Sequence, residues 1–216
     1  MTLSRRAFGG LVSGGIVAGS GCLGFILGNE AQEFSASPAT AGDASLDETG
    51  YEQANDEETS KQEVSRTFSA AGQEREVVAT NYMSEYERSV SFLGMEQQAA
   101  VFVAFSTPKV DLFGKTFNPI DDMSNRELIQ QVQGRYEGME VGQEEGTTQI
   151  DTLGETVELS KFPGQADLDG TSVDVYIHIG QVSHDGDFVV PIAVYPQEID
   201  DREEQNVVSL VEGLEH

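Results

Sequence analysis

The sequence predicts an α+β fold in which helices pack on a predominantly antiparallel sheet with long hairpins. Two runs of strand character, residues 64–69 and 74–90, flank the turn Ala70-Ala71-Gly72. Two amphipathic helix patterns enclose a run of four further strands that starts at residue 147. Strands followed by helix, antiparallel strands and helix are typical of this class, which buries one face of its sheet under helices.

The elements before this run are short helix, hairpin and central strand. Residues 43–47 have room for one helical turn, and the long hairpin follows. Its second arm places Tyr82 and Tyr86 on one face, where cross-strand packing is a commoner use of tyrosines than a ligand platform. Residues 98–105 are apolar on both faces, which predicts a central strand that is covered from two sides.

Capping and apolar periodicity predict both helices. Ser124 and Glu127 have the spacing of a capping box, and Gly138 ends the apolar stripe that follows. The second helix starts at Asp201 with Glu204. The two apolar faces consist of Leu128, Ile129, Val132 and Tyr136 in the first helix and of Val207, Val208, Val211 and Leu214 in the second.

Turn positions fix the register of the strands between the helices. A two-residue turn at Asp185-Gly186 sets Ile177 opposite Val194 and Ile179 opposite Ile192. A turn at Asp169-Gly170 sets Phe162 opposite Ile177 and Ala166 opposite Val173. Val157 and Leu159 have the opposite parity to Phe162, so we expect a β-bulge near Pro163-Gly164.

The N-terminal segment has the composition of an export signal. Arg5 and Arg6 precede a short, glycine-rich, weakly apolar stretch that is far less apolar than the roughly 20 residues a membrane span requires. This pattern resembles a twin-arginine signal peptide, whose cargo folds before it crosses the membrane. We therefore expect residues 1–21 to be a leader that the twin-arginine translocase recognises.

Cys22 is the only cysteine of the chain and follows Gly19-Ser20-Gly21. Small residues before a single cysteine resemble a lipobox, in which the cysteine sulfur carries the lipid; the alternative is an ordinary small residue. We expect residues 22–41 to form a lipid-anchored collar and spacer, and residues 42–216 to form one extracellular domain. A lipidated Cys22 leaves no thiol for disulfides, metals or catalysis.

Acidic residues dominate the charge of the chain. It has 38 Asp and Glu against 12 Lys and Arg, a formal net charge of −26 over 216 residues. Such a charge destabilises a compact state by self-repulsion unless molar salt screens it, which resembles the proteins of extreme halophiles. The sequence has no basic patch, so we expect no nucleic-acid partner.

Few residues point to catalysis. Ser183-His184-Asp185 has the residue types of a hydrolase triad, but three consecutive residues at a tight turn cannot adopt the relay geometry. His178 shares a strand face with Asp174 and Tyr176 and is either a ligand or base on the sheet, or a covered or solvated histidine. The sequence contains no nucleophile elbow, zincin motif, P-loop or dinucleotide fingerprint.

Carboxylates give no cofactor site either. Loop residues lack the ligand order of a calcium loop, and the pairs fit no recognisable pair of catalytic acids. We expect no metal and no cofactor. The residues weighed are Asp121, Asp122, Glu144, Glu145, Asp167 and Asp169.

Several short segments carry a family resemblance: Gly-Cys-Leu-Gly-Phe, Phe-Ser-Ala-Ser-Pro-Ala-Thr, Phe-Asn-Pro, Met-Ser-Asn-Arg-Glu-Leu, Val-Asp-Val-Tyr-Ile-His and Asp-Phe-Val-Val. Through them the chain resembles a family of uncharacterised haloarchaeal lipoproteins, which has no assigned activity. In architecture it is similar to the sandwich of the import factor Mog1, the photosystem protein PsbP and mycobacterial lipoproteins.

These observations favour a non-catalytic envelope lipoprotein on the extracellular face of the cell membrane, held through the lipid on Cys22. Its partner would be a small ligand or another surface protein. The alternative is an extracellular hydrolase whose catalytic residues come from distant segments. A pocket that brings His178, Tyr176 and a carboxylate together would favour the hydrolase, and an exposed flat or apolar patch would favour the binding module.

Overall fold

The computed structural model describes residues 31–55, 58–70, 73–92, 95–112, 115–116, 118, 120–133, 139–168 and 171–216. The described α-helices are α1 (Asp43–Thr49), α2 (Asn125–Gln133) and α3 (Asp200–Glu212). The strands are β1 (Gln32–Ser35), β2 (Thr40–Ala41), β3 (Glu52–Gln53), β4 (Ser60–Ala70), β5 (Gln73–Phe92), β6 (Met95–Pro108), β7 (Asp111–Leu112), β8 (Lys115–Thr116), β9 (Glu140–Val141), β10 (Gly146–Thr152), β11 (Glu155–Leu168), β12 (Thr171–Ile179), β13 (Val182–His184), β14 (Asp187–Pro196) and β15 (Leu214–Glu215).

One mixed sheet of 11 strands organises the described part of the chain. Its main order is β1-β5-β6-β14-β12-β11-β10, with β3 and β4 on β5, β9 on β11 and β13 on β14. All these pairs are antiparallel except β1 with β5. The predicted hairpin is confirmed as β4 and β5, although Ala71 and Gly72 of its turn lie outside the described residues.

The α+β sandwich prediction is wrong. The structure is mostly strand in one large mixed sheet, and β6 joins the predicted hairpin to the later strands because it pairs with both β5 and β14. The helices have 7, 9 and 13 residues. Even the longest is about 20 Å long, whereas the 20-residue β5 spans about 66 Å, so helices cannot cover the sheet as a layer. The architecture of Mog1 and PsbP is therefore set aside.

The predicted registers are confirmed. Ile177 lies opposite Val194, and Phe162 lies opposite Ile177, as the two turn positions require. Asp169 and Gly170 themselves lie outside the described residues. β6 is confirmed as a central strand between β5 and β14, with Phe102 and Ala104 fully buried.

The bulge expected near Pro163-Gly164 is wrong, because β11 pairs with β12 in unbroken register. Both faces of β11 are covered instead. Lys161 bonds α3 on the face that Leu159 also shares, while Arg126 of α2 lies over the Phe162 ring on the other face. Opposite parity of buried residues therefore reflects two covered faces and needs no extra residue.

The helix predictions hold at their starts. Ser124 and Glu127 form the predicted capping box, since Glu127 Oε2 accepts hydrogen bonds from both the backbone N–H (2.9 Å) and the hydroxyl (2.7 Å) of Ser124. Leu128 and Ile129 are buried. Tyr136 and Gly138 lie outside the described residues. Leu214 is buried but belongs to β15, which pairs with β2, so its assignment to the last helix is wrong.

Candidate functional site

The predicted export and anchor residues, Arg5, Arg6 and Cys22, lie outside the described residues, which begin at residue 31. Among the described helices, none is long and apolar enough to cross a membrane. The candidate sites in the described part of the chain are two clusters of buried polar side chains under α3 and the depression beside one of them.

His178 is the centre of a buried polar network beneath the start of α3. Its Nε2 lies 2.8 Å from the Tyr195 hydroxyl, which in turn donates a 2.8 Å hydrogen bond to Asp200 Oδ1. Lys161 Nζ donates to the same Asp200 oxygen at 2.6 Å and to Glu204 Oε2 at 3.1 Å. Because Tyr195 gives its proton to Asp200, the His178 nitrogen is the donor to the tyrosine oxygen.

Burial determines the protonation of this network. It lowers the pKa of His178 to about 4, and the positive charge of Lys161 adds to this effect, so the imidazole is neutral at pH 7. Burial and the hydrogen bond to Asp200 raise the pKa of Tyr195. Burial opposes the charge on Lys161, but hydrogen bonds to Asp200 and Glu204 outweigh it and raise the pKa of Lys161.

The network differs from the arrangement that would favour a hydrolase. His178 is 3% exposed and Tyr195 is 0% exposed, so no substrate reaches either side chain in this conformation. The expected neighbour Asp174 instead accepts a hydrogen bond from Gln165 at the surface, and Tyr176 lies under Lys161. Sequence reasoning did not identify Tyr195 as a partner of His178. The confirmed register sets Ala193 opposite His178, so Tyr195, two positions further along β14, lies diagonally across from it.

Ser183-His184-Asp185 is confirmed as a turn segment. Asp185 and Gly186 have φ angles of 43° and 90°, the left-handed values that a two-residue hairpin turn requires. Ser183 accepts a hydrogen bond from Lys109, whereas His184 contacts His216. The three side chains therefore do not form a triad.

A second buried charge lies under the middle of α3. Glu203 is 0% exposed and forms an ion pair with Arg88 of β5. The Tyr51 hydroxyl donates to Glu203 Oε1 at 2.8 Å, and Asn206 Nδ2 donates to the same oxygen at 3.3 Å. Burial raises the pKa of Tyr51, and the Glu203 charge adds to the rise. Nothing in the sequence indicates this cluster, because Glu203 has the position of a residue on the polar face of the helix.

An open depression of about 360 Å³ adjoins this cluster. Arg88 and Arg202 contribute cations to it, and no hydrogen bond or ion pair joins Arg202 to another described residue. Four carboxylates surround them, so a ligand that enters would meet both signs of charge. The lining comprises Asp47, Glu48, Thr49, Gly50, Glu52, Gln53, Ala54, Glu87, Arg88, Ser89 and Arg202.

The part of the chain that the structure describes contains no candidate metal site. No three His, Cys, Asp or Glu side chains in it are arranged to hold an ion. Asp121 and Asp122 are exposed, as are Glu144 and Glu145. Asp169 lies outside the described residues.

Comparison with known proteins identifies the domain but assigns it no activity. A family model, Domain of unknown function (DUF6517), matches residues 38–215. The chain belongs to the DUF6517 family. The expectation of a family without an assigned activity is confirmed. A search of curated proteins found no match.

The two ends of the DUF6517 domain are joined by strand pairing and hydrogen bonds. β2 pairs with β15, so the matched region begins just before one strand of this pair and ends with the other. Asp187 Oδ2 accepts a 2.7 Å hydrogen bond from the Ser37 backbone and lies 3.2 Å from His216 Nε2. His216 Nδ1 is 2.9 Å from His184 Nδ1. These contacts hold the two ends of the domain together, and they involve His216, which sequence reasoning did not single out.

Proposed function

We propose that this DUF6517 protein is a lipid-anchored module on the extracellular face of a haloarchaeal membrane, where it binds a small ligand or a surface protein without catalysing a reaction. The supporting observation is that the histidine of the sheet core is buried, whereas the polar side chains of the depression are open to solvent. The only described histidine in the sheet core, His178, is enclosed in a satisfied network, while the open depression is lined by carboxylates, arginines and hydroxyls.

The anchor part of the proposal rests on Arg5, Arg6 and Cys22. Cys22 precedes the first residue of β1 by ten positions, so a fully extended link spans at most about 36 Å. A lipid on Cys22 would hold the sheet within that distance of the membrane. One acyl chain binds only marginally, so stable attachment needs a second chain or contact by the apolar residues that follow Cys22.

The ligand part rests on the depression beside Arg88. Its two arginines and four carboxylates suit a small ligand that carries both charge signs, and its lining contains no histidine or cysteine.

The halophile part rests on the net charge of −26. Molar salt screens the self-repulsion of this charge, because the Debye length is then about 3 Å. Dilution to about 0.1 M salt should loosen the fold, and an unchanged melting curve would contradict a halophilic design.

Detergent partitioning tests the anchor. Cys22→Ser should move the protein from the detergent phase to the aqueous phase, whereas Ser37→Ala, in the folded domain, should leave partitioning unchanged. Arg5→Lys together with Arg6→Lys should block export. Unaltered partitioning of Cys22→Ser would refute lipid attachment, and normal export of the double variant would refute the twin-arginine route.

Native purification at molar salt tests the binding role. Mass spectrometry should find a small molecule that co-purifies with the wild type and with Glu158→Gln, a control at an exposed residue outside the depression, but is lost from Glu48→Gln/Glu52→Gln at the depression. Hydrolysis of ester or peptide substrates that His178→Gln abolishes would instead support the extracellular hydrolase.

A further inference from the structure

The outer edge of β4 is an exposed strand edge. β4 pairs with β5 along its full 11 residues, and no other described strand pairs with it. Residues 60–67 are all exposed. They include Val64, a large hydrophobic residue whose exposed fraction is 40%. Edges of this length present unpaired backbone groups, and proteins usually cover or interrupt them.

Hydrogen bonds on β5 show which β4 backbone groups face outward. Thr80 of β5 accepts from Ala36 beyond β1, and Glu85 accepts from Ala54 on the side where β4 lies. Odd-numbered residues of this part of β5 therefore point their backbone groups toward β4, where their partners are even-numbered. Lys61, Glu63, Ser65 and Thr67 consequently direct N–H and C=O groups to the free edge.

The part of this hairpin in which β4 pairs with β5 differs in charge from the rest of the chain. Residues 60–83 contain three cations and three carboxylates, a net charge of zero, in a chain whose net charge is −26. The cations are Lys61, Arg66 and Arg75, and the carboxylates are Glu63, Glu74 and Glu76. Two copies can therefore approach each other along β4 with less repulsion than two acidic surfaces of the rest of the chain would meet.

We propose that β4 pairs antiparallel with β4 of a second copy about a two-fold axis at Gln62. A two-fold axis perpendicular to the sheet places one residue opposite itself. Centring on Lys61, Glu63 or Arg66 sets like charges opposite each other, whereas centring on Gln62 sets Lys61 opposite the partner's Glu63 twice. The same register places Arg66 opposite the partner's Glu58, and it uses the outward backbone groups of Lys61 and Glu63 for hydrogen bonds.

Disulfide trapping tests the register. Gln62 falls in a non-hydrogen-bonded pair, where Cα atoms are about 4.5 Å apart and a disulfide can form. Val64→Cys is the matched control, because four residues of offset separate its two copies by about 13 Å along the strand. Both variants are made in the full chain with Cys22→Ser, so that residue 22 supplies no thiol.

At molar salt under mild oxidation, Gln62→Cys should run as a covalent dimer and Val64→Cys as a monomer on non-reducing gels. Equal cross-linking of both variants, or preferential cross-linking of Val64→Cys, would overturn the proposal. Sedimentation of the protein without added cysteine should show a concentration-dependent dimer, and a monomer at every concentration would also overturn it.

Charge exchange tests the cross-strand pairs. Lys61→Glu should weaken the dimer about tenfold, because it replaces two attractive pairs by two repulsive ones. Lys61→Glu with Glu63→Lys should restore the dimer, and it also keeps opposite charges at the contact within β4, where Lys61 Nζ lies 2.8 Å from Glu63 Oε1. A double variant as weak as the single one would refute the proposed pairing.

Discussion

Replacement of Arg88 by methionine should destabilise the protein strongly, because it leaves the Glu203 carboxylate buried without its cation. The Arg88 side chain is 13% exposed and the Glu203 side chain is 0% exposed, so water cannot replace the lost partner. Tyr51 and Asn206 still donate to Glu203, but neither carries a charge. Removal of one member of a buried pair costs about 3–5 kcal/mol. In a chain of this size that is a fall of about 6–20 °C in melting temperature.

Thermal and urea unfolding at constant molar salt measure the effect, and two variants control it. Arg88→Met/Glu203→Gln should recover part of the loss, because no uncompensated charge remains buried. Lys61→Met removes the cation of an exposed pair, whose side chains are 54% and 59% exposed, and should cost much less stability than Arg88→Met. If Arg88→Met costs no more than Lys61→Met, or the double variant is as unstable as the single one, the argument from burial is wrong.

Two further predictions concern pH and close packing. Burial holds the pKa of His178 near 4, below its ordinary value of about 6.5, so folding disfavours protonation and this histidine should cost about 3 kcal/mol of stability as pH falls from 6.5 to 4. The wild type should therefore lose more stability over that window than His178→Gln in pH-resolved urea titrations, and parallel curves would contradict it. Gly164→Ala should cost about 1–3 kcal/mol, since its Cβ would lie 2.5 Å from the Glu140 carbonyl oxygen, whereas Gly146→Ala meets no atom within 4 Å; equal stability of the two variants would contradict it.

Local rules predicted the registers because each depends on few residues. A turn at Asp185-Gly186 fixes every pair between β12 and β14, and the capping box of Ser124 fixes the start of α2. Alternation also predicted the hairpin of β4 and β5. In these elements the determining residues lie within about 20 positions of one another, so the sequence alone contains the information.

The fold class predicted from the sequence is wrong because the sheet depends on pairing between segments that are far apart in the chain. Nothing near β1 indicates that it pairs parallel to Val77–Thr80, more than 40 positions away, or that β6 joins the hairpin to β14. Periodicity also could not show that β11 is covered on both faces, and this is why a bulge was expected at Pro163-Gly164. The partners of His178 and Glu203 come from separate elements, so their burial follows from the topology.

Two cations of this acidic chain, Arg88 and Lys161, lie where salt weakens their ion pairs least. Among the described residues, Arg88 and Lys161 pair with Glu203, Asp200 and Glu204, all on α3, and both cations are largely buried. Molar salt screens the repulsion between exposed carboxylates, but it screens the buried pair of Arg88 and Glu203 much less. Salt should therefore stabilise the fold without weakening the attachment of α3 to the sheet. On dilution, the repulsion between surface carboxylates returns first, and α3 should be among the last elements to separate.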